Sequence, residues 1–295
     1  MNTSDSIQTP SGVLLVDKAQ DMTSHDVVAI ARRSLGIKKI GHCGTLDPMA
    51  TGLLMLVVGK ATKLQDKLMC EHKEYAGTLT LGVETSSQDA MGEVVAEYSV
   101  DGVTEQAVRA AFDRFDGAFE QIPPMVSAIK KDGVPLYKLA RKGQEIERPP
   151  RRVTIHELAL LEPEDGDWRL RIRCSKGTYV RALCHDIGQA LGCGGAMYSL
   201  RRTMAAGFTL AEAVSLEAVQ AQGAALLRPA DSLFAAYPAY RLTSAGKEKR
   251  VRNGNPITAE VPEGMYRVYG ANGEFLCLSR AKDGTLTSIK NFFGA

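Results

Sequence analysis

Residues 53–58 form a continuous apolar run, LLMLVV, that follows a stretch rich in glycine with one proline. An apolar run of this length with glycines on both sides is typical of a fully buried strand. We therefore predict a strand at residues 53–58 and a loop at residues 41–52. One charged residue, Asp47, stands in that loop. It is either a turn aspartate that hydrogen-bonds its own backbone, which is the commoner case, or a carboxylate held at a reactive site.

The rest of the chain up to about residue 236 predicts strands and helices in irregular alternation. Apolar runs predict further strands at residues 13–17, 75–81, 92–99, 152–161 and 168–175. Apolar residues at helical spacing, with capping residues before them, predict helices at residues 24–35, 61–69, 104–115 and 179–191. Because strands adjoin one another rather than forming a βαβ repeat, we predict an α+β fold with a mixed, largely antiparallel sheet flanked by helices.

A second domain is indicated near residues 237–240, where the composition shifts. Beyond this point, short apolar runs are separated by Asn-Gly, Glu-Gly or Asp-Gly pairs at residues 253–254, 263–264, 272–273 and 283–284. Such pairs favour the tight turns of β-hairpins. A chain of 295 residues also exceeds the usual size of one domain. We therefore predict a first domain at residues 1–236 and a small all-β domain at residues 237–295.

Several classes of protein do not fit this sequence. The apolar run at residues 53–58 is far shorter than the roughly 20 residues of a membrane helix. The first ten residues, MNTSDSIQTP, lack the basic and apolar regions of a secretory signal. The six cysteines form no CxxC pair, which disfavours both a zinc site and a disulfide framework. We expect a cytoplasmic protein with reduced thiols, no bound metal and no membrane segment.

The sequence also lacks the common nucleotide-binding and hydrolase motifs. Gly59-Lys60 resembles the end of a phosphate-binding loop, but Leu54 stands where that motif needs glycine, and Ala61 stands where it needs serine or threonine. No GxGxxG, GxSxG or HExxH occurs. The main candidates for chemistry are therefore Asp47 and partners that lie far from it in the chain.

Charge is strongly polarised along the chain. Residues 130–152 hold eight basic against three acidic residues, a net charge of +5, and residues 84–120 hold nine acidic against two basic residues, a net charge of −7. A basic segment with prolines and glycines suits a loop that grips a phosphate backbone. Taken alone, the same segment fits a solvated basic face nearly as well.

Four side chains are candidates to complete a site around Asp47. Arg181 is a candidate partner, because a carboxylate that attacks carbon while poorly hydrated must be kept ionised by a cation. Tyr75 and Tyr179 offer rings on which an extruded base can stack, which is worth roughly 1–3 kcal/mol per base. His42 is either a wedge that enters a nucleic-acid stack or a capping residue. For Arg181, the ordinary alternative is an exposed helix residue without a role in a site. For Tyr75 and Tyr179, it is a half-buried position in a strand or helix.

Several segments together resemble the TruB-type bacterial tRNA pseudouridine-55 synthases. In chain order they are VDKAQDMTSHDVV (16–28), GHCGTLDPMATGLL (41–54), KEYAGTLTLG (73–82), the stretch at 121–143, SKGTYVRAL (175–183) and SLRRTMAAGF (199–208). The resemblance implies a pseudouridine synthase fold followed by a small PUA-like domain. It implies an isomerase that turns uridine into pseudouridine at position 55, in the T-loop of tRNA, after flipping the base out of its stack. It implies neither a cofactor nor a metal.

The resemblance also implies roles for individual residues of this chain. Asp47 is the implied nucleophile and Arg181 its ion-pair partner. Tyr75 would stack on the target uracil and assist proton transfer. Tyr179 and Leu200 would line the pocket.

The resemblance further implies how the RNA is held. His42 would fill the space left by the flipped nucleotide, and a basic insertion at about 124–152, with Lys130, Arg141 and Arg152, would hold the T-arm. The PUA-like domain would contact the acceptor stem, and a monomer without an obligate protein partner is expected. A different class of function, a tRNA-binding folding chaperone with catalysis secondary or lost, fits the basic insertion and the β domain equally.

Three departures from the family's usual motifs stand out. Ala19 and Asp21 stand where the family has proline and glycine, which predicts a less rigid loop. Cys43 replaces a threonine and so removes a hydroxyl near the implied catalytic turn. Val126 replaces a tyrosine and removes one aromatic contact. None of these departures replaces a residue with an implied catalytic role.

Overall fold

The computed structural model describes residues 10–162 and 167–293. Residues 1–9, which hold most of the stretch considered above for a secretory signal, lie outside the described residues. Within these ranges, every helix is too short or too polar to cross a membrane.

Up to residue 236, the strands in chain order are β1 (Gly12–Lys18), β2 (Ile40–His42), β3 (Thr51–Val58), β4 (Lys73–Leu81), β5 (Val83–Thr85), β6 (Val94–Glu97), β7 (Gly117–Gln121), β8 (Lys130–Lys131), β9 (Val134–Pro135), β10 (Arg151–Leu160), β11 (Trp168–Cys174), β12 (Gly195–Ala205), β13 (Phe208–Thr209) and β14 (Arg228–Pro229). The α-helices are α1 (Ser24–Leu35), α2 (Gln65–Met69), α3 (Glu105–Asp113), α4 (Leu136–Ala140), α5 (Val180–Leu191) and α6 (Leu216–Gln222). Short 3-10 helices lie at Gly59–Leu64, Leu210–Glu212, Gly223–Leu226 and Ala230–Phe234.

Ten strands of the described chain form one sheet. Eight of them lie side by side in the order β14, β1, β3, β12, β4, β11, β10, β7, with β2 paired to β3 and β13 to β12. β3 and β12 run parallel, whereas the other pairs in this sheet are antiparallel. Helices α1, α3, α5 and α6 contribute to the larger hydrophobic cluster on one face. The predicted α+β fold with a mixed, largely antiparallel sheet is therefore confirmed.

Strand β3 shows why the apolar run is unbroken. Its side chains alternate between two hydrophobic clusters, with residues 54, 56 and 58 in the larger cluster and residues 53, 55 and 57 in a second cluster. All six side chains are 0% exposed. The second cluster also contains Phe234, Leu278 and Phe292, so the far end of the chain covers the other face of the sheet. A strand that is dry on both faces has no position for a polar side chain.

Helix α1 begins and ends where the sequence predicts. Thr23 accepts a hydrogen bond from Asp26 N, and the Asp26 side chain accepts one from Thr23 N, which forms a capping box. Gly36 ends the helix in the left-handed region with φ 66°. The helix predicted at residues 61–69 is wrong in its first half, where a 3-10 helix at Gly59–Leu64 precedes the short helix α2.

Strand β12 lies at the centre of the sheet and is absent from the predicted elements. Its register against β4 shifts twice, between Met197 and Ser199 and between Arg202 and Met204. Each such irregularity interrupts the alternation of buried and exposed side chains by which a strand is recognised. The pattern of apolar residues therefore does not indicate this strand.

The C-terminal part holds β15 (Ala239–Arg241), α7 (Ala245–Arg252), β16 (Ile257–Thr258), β17 (Gly264–Tyr269), β18 (Phe275–Lys282) and β19 (Thr285–Asn291). The strands form a five-stranded sheet in the order β15, β17, β18, β19, β16. The predicted hairpin turns at residues 272–273 and 283–284 join antiparallel neighbours. The pair at residues 253–254 instead follows helix α7, and the pair at 263–264 lies between strands that are not neighbours in the sheet.

Candidate active site

Asp47 lies in the loop between β2 and β3, in the lining of an open cleft. The loop is a turn, because the Asp47 carbonyl accepts a hydrogen bond from Ala50 N at 3.1 Å. Just before it, the Ser24 hydroxyl bonds both the amide and the carbonyl of Leu46, at 2.9 and 3.1 Å. The Asp47 side chain is 35% exposed. The turn interpretation therefore holds for the backbone and leaves the carboxylate accessible from the cleft.

Arg181 lies in the first turn of α5, with its side chain only 3% exposed. Its Nε donates to Asp47 Oδ2 at 2.9 Å, Nη1 to the Ser87 carbonyl at 2.9 Å, and Nη2 to the Val126 carbonyl at 2.8 Å. All three guanidinium nitrogens thus have acceptors, which fixes the plane of the group. The structure therefore brings together the two residues that the sequence analysis paired.

Asp89 is a second carboxylate at the same guanidinium, and the sequence analysis missed it. Its Oδ2 lies 3.4 Å from Arg181 Nε, and its side chain is 7% exposed. Oδ1 accepts hydrogen bonds from the Ser87 hydroxyl at 2.6 Å and from Met91 N at 3.0 Å. Asp89 lies between β5 and β6 in an acidic segment, so nothing in the local pattern distinguished it from solvated neighbours.

The cleft has a volume of about 720 Å³, and the predicted pocket residues line it. Tyr75 on β4 and Leu200 on β12 are 7% and 8% exposed. Tyr179 precedes α5, where the buried Gln121 side chain accepts from Tyr179 N at 2.8 Å and donates to Tyr179 O at 3.1 Å. Burial raises the pKa of both Tyr75 and Tyr179, so both phenols stay protonated at neutral pH.

Two buried cations in the lining were also missed. Arg202 is 0% exposed and Lys73 is 8% exposed. Lys73 Nζ donates to the carbonyls of Met69 and Glu71, at 2.8 and 2.6 Å, and burial lowers its pKa. Arg202 stands within SLRRTMAAGF, a segment that the sequence analysis singled out without giving this residue a role.

The predicted RNA-contacting residues are spread over a wider surface. Arg152 lines the cleft, whereas Lys130 and Arg141 are exposed on the insertion outside the lining. The His42 ring also lies outside the lining, edge-on to His25 at 5.6 Å. Burial lowers the pKa of His42, and its Nδ1 has no hydrogen-bond partner within the described residues.

The loop that contains Ala19 is bonded to the candidate catalytic loop. The buried Lys18 donates from Nζ to the carbonyls of Ala19, Met22 and Pro48, at 2.9, 2.7 and 3.1 Å. The Pro48 carbonyl also accepts from Asp21 N at 2.9 Å. Asp21 has φ 61°, a conformation that suits the glycine it replaces and that aspartate tolerates better than most residues. These bonds hold the two loops together at Pro48, the residue after Asp47.

The other two departures also have a structural account. Cys43 is 2% exposed in the second hydrophobic cluster, where it acts as a small apolar side chain, and burial raises the pKa of its thiol to about 12. Val126 is 38% exposed, and its carbonyl, which any residue supplies, accepts from Arg181.

The described residues contain no group of three or more His, Cys, Asp or Glu side chains placed to hold a metal ion. Of the charged groups in the cleft lining, Asp47 pairs with Arg181, and Lys73 and Arg202 donate to backbone carbonyls.

Comparisons with known proteins agree over most of the chain. Residues 32–180 match the TruB family pseudouridylate synthase N-terminal domain, and residues 181–235 match the tRNA pseudouridylate synthase B C-terminal domain. The tRNA pseudouridine synthase B of Azoarcus sp. is 46% identical over 279 residues, covering 93% of this chain and 92% of its own length. That of Syntrophotalea carbinolica is 46% identical over 256 residues, covering 85% and 83%.

Solved structures share the fold. A chain from the structure of an H/ACA RNP bound to a substrate RNA containing 2′-deoxyuridine superposes with a TM-score of 0.68 and 22% identity, covering 97% of this chain and 86% of that chain. The expected pseudouridine synthase fold, with a C-terminal β-sheet consistent with a PUA-like domain, is thereby confirmed. The chain belongs to the TruB family of pseudouridylate synthases.

Proposed function

We propose that the protein converts uridine to pseudouridine at position 55, in the T-loop of tRNA. The observation that carries this proposal is the ion pair between Asp47 and Arg181 at 2.9 Å, in a cleft lined by Tyr75 and Leu200. Relatives named tRNA pseudouridine synthase B support tRNA as the substrate.

Asp47 acts as the nucleophile, and Arg181 is its ion-pair partner. The reaction breaks the bond between uracil N1 and the ribose, turns the base and joins the ribose to C5. The proton lost from C5 is balanced by the one gained at N1, so the reaction needs no oxidant or reductant. A buried guanidinium with three acceptors holds the carboxylate in one orientation before the substrate arrives, which lowers the reorganisation needed in the transition state.

The cleft holds the detached base beside the sugar. Tyr75 stacks on the flipped uracil and assists proton transfer, while Tyr179 and Leu200 line the pocket. Extruding the base costs a few kcal/mol, which stacking on aromatic rings offsets in part. Confinement then makes recombination faster than escape, because the two fragments stay oriented toward each other.

The RNA is held by exposed cations in the cleft lining and on the insertion outside it. Lys130, Arg141 and Arg152 are exposed cations on or beside the insertion and contact the phosphates of the T-arm. His42, near the catalytic loop, fills the gap left by the flipped nucleotide.

The chain divides into a catalytic domain at residues 1–236, with its basic insertion at about 124–152, and a PUA-like domain at residues 237–295 that contacts the acceptor stem. The separate sheets before and after this boundary support the division. We place the protein in the cytoplasm, where tRNA is found, and expect a monomer that needs no protein partner.

The rival function, a tRNA folding chaperone with catalysis secondary, uses the same basic surface. The chaperone function does not explain the cluster of Asp47, Asp89 and Arg181, because exposed cations can contact RNA without a buried arginine. Burying a charged group is costly unless its interactions offset the lost hydration. The free-energy cost of burying this charge is therefore better explained by catalysis than by RNA binding alone.

The deciding experiment is Asp47→Asn, tested with unmodified tRNA transcripts. Pseudouridine formation falls by roughly 10³-fold or more because the nucleophile is lost, while tRNA affinity is kept. Asp66→Asn is the matched control, since Asp66 is an exposed carboxylate lining the same cleft, and this variant keeps activity. Modification by Asp47→Asn at the rate of the unsubstituted enzyme contradicts the catalytic assignment.

A further inference from the structure

Arg202 is a fully buried arginine on strand β12, in the lining of the cleft. Its side chain is 0% exposed, which is rare for an arginine unless it is paired. Within the described residues, no carboxylate forms an ion pair with Arg202, whereas Arg181 has such a partner. Its neighbour Arg201, by contrast, is exposed and pairs with Asp17 at 2.7 Å. A buried cation of this kind calls for an explanation.

The Arg202 guanidinium joins three structural elements. Nε donates to the Leu53 carbonyl on β3 at 2.6 Å, and Nη2 donates to the Gly44 carbonyl in the loop of Asp47 at 3.2 Å. On the neighbouring strand β4, Tyr75 lies directly opposite Arg202 in the register of the sheet. Arg202 thus connects its own strand with the start of the loop and with the strand after the loop, and it stands opposite the tyrosine.

The pairing of β12 with β4 makes Arg202 and Tyr75 neighbours. Directly opposite residues of an antiparallel pair carry their side chains on the same face of the sheet, with Cβ atoms roughly 4.5–5.5 Å apart. Both residues line the cleft. The guanidinium and the phenol therefore belong to the same part of the site.

Protein atoms surround the Arg202 guanidinium and leave it little free space. Nη1 is buried and has no hydrogen-bond partner in the described parts of the chain. A Cβ added at Gly44 would lie 3.5 Å from both Nη1 and Lys73 Cε. Because the atom is covered by protein, a substrate base cannot touch it without rearrangement, and any effect of Arg202 on the reaction must pass through Tyr75 and the loop.

We propose that Arg202 is a positioning residue for the isomerisation, which holds the Gly44 end of the catalytic loop against strand β3, opposite Tyr75. The inference rests on the proposed function. Arg202 acts on the bound nucleotide only through the loop and the neighbouring tyrosine, so its loss slows the chemical step and leaves tRNA affinity unchanged. The positive charge also acts against the burial that raises the pKa of Tyr75.

The test uses Arg202→Lys in the full chain, with single-turnover pseudouridine formation and tRNA binding measured on the same transcript. Lysine keeps the charge but cannot donate to both the Leu53 and Gly44 carbonyls in the planar geometry of arginine. We expect the single-turnover rate to fall by about tenfold to a hundredfold, with tRNA affinity within about twofold. Arg201→Lys is the matched control and keeps the rate. A thermal unfolding curve verifies that each variant is folded.

Comparison of rate with affinity separates positioning from general structural damage. Damage to the fold lowers tRNA affinity together with the rate, whereas misplacement of the catalytic loop lowers the rate alone. Loss of tRNA affinity in parallel with rate, or an unchanged rate in folded Arg202→Lys, would each overturn the proposal. Should the unsubstituted enzyme form no pseudouridine, the proposed function itself fails, a result distinct from these two.

Discussion

Arg181 Nε lies 2.9 Å from Asp47 Oδ2, although 134 residues separate the two in the chain. The arginine is 3% exposed and the aspartate 35%, so the cation is buried while the carboxylate is accessible from the cleft. Asp89 approaches the same nitrogen to 3.4 Å. The guanidinium is thus shared between one carboxylate of the cleft and one that is buried behind it.

Asp89→Asn slows pseudouridine formation by about tenfold to a hundredfold, because a shift of Arg181 misplaces Asp47. The amide keeps the shape of the carboxyl group but loses the charge and one acceptor, which lowers the free energy of unfolding by about 1–3 kcal/mol. Single-turnover rates and urea unfolding measure the two effects. Glu93→Gln, an exposed change on the same segment, is the control. An Asp89→Asn enzyme with an unchanged rate contradicts the role of the shared guanidinium.

Lys18→Met changes how stability depends on pH. Burial lowers the pKa of Lys18 from 10.5 to about 8, so between these values the unfolded chain binds a proton that the folded chain has lost. The contribution of Lys18 to the free energy of unfolding of the protein therefore rises with pH over this window, by up to about 3 kcal/mol. Urea unfolding from pH 7 to 10 measures the difference between the original protein and Lys18→Met. The exposed Lys38→Met provides the control, and a difference that does not change with pH refutes the prediction.

Thiol reactivity separates Cys70 from the other cysteines. All six thiols are free, and five are buried, whereas Cys70 is exposed at the cleft with the Lys176 ammonium 3.1 Å from its sulfur. Burial raises the pKa of Cys43 to about 12, so this thiol is neither ionised nor accessible at pH 8. A disulfide reagent should label one thiol rapidly in the folded protein and six in denaturant. Cys70→Ser should remove the rapid phase, and rapid labelling of a second thiol is the contrary result.

Replacement of Lys130, Arg141 and Arg152 together by alanine weakens tRNA binding and flattens its salt dependence. If each cation neutralises one phosphate, the slope of log affinity against log salt changes by about 2 to 3. Binding titrations at several salt concentrations measure this slope. The control, Arg109→Ala with Arg114→Ala, removes exposed cations from the acidic segment and leaves the slope nearly unchanged. An unaltered slope in the triple variant rules out these phosphate contacts.

Much of the fold could be predicted because it follows from local chemistry. The unbroken apolar run of β3 reflects burial on both faces, and Thr23 with Gly36 marks the two ends of α1. Strand β12 could not be predicted, because its two register shifts remove the alternation of side chains. Helix α7 could not be predicted either. It is highly polar, with Val251 as its only buried residue, so it has no apolar stripe.

The sequence by itself determined that Asp47 stands in a turn before a buried strand, and its motifs pointed to the family. Only the tertiary structure decided which charged groups meet. Asp89 reaches Arg181 from a loop, and Arg202 reaches the cleft from a strand, and the local patterns of both segments resemble ordinary polar sequence. Burial and pairing of a side chain depend on neighbours distant in the chain, and a lone sequence does not display those contacts. The arginine beside Asp47 could therefore be proposed from motifs, whereas the one opposite Tyr75 had to be found in the fold.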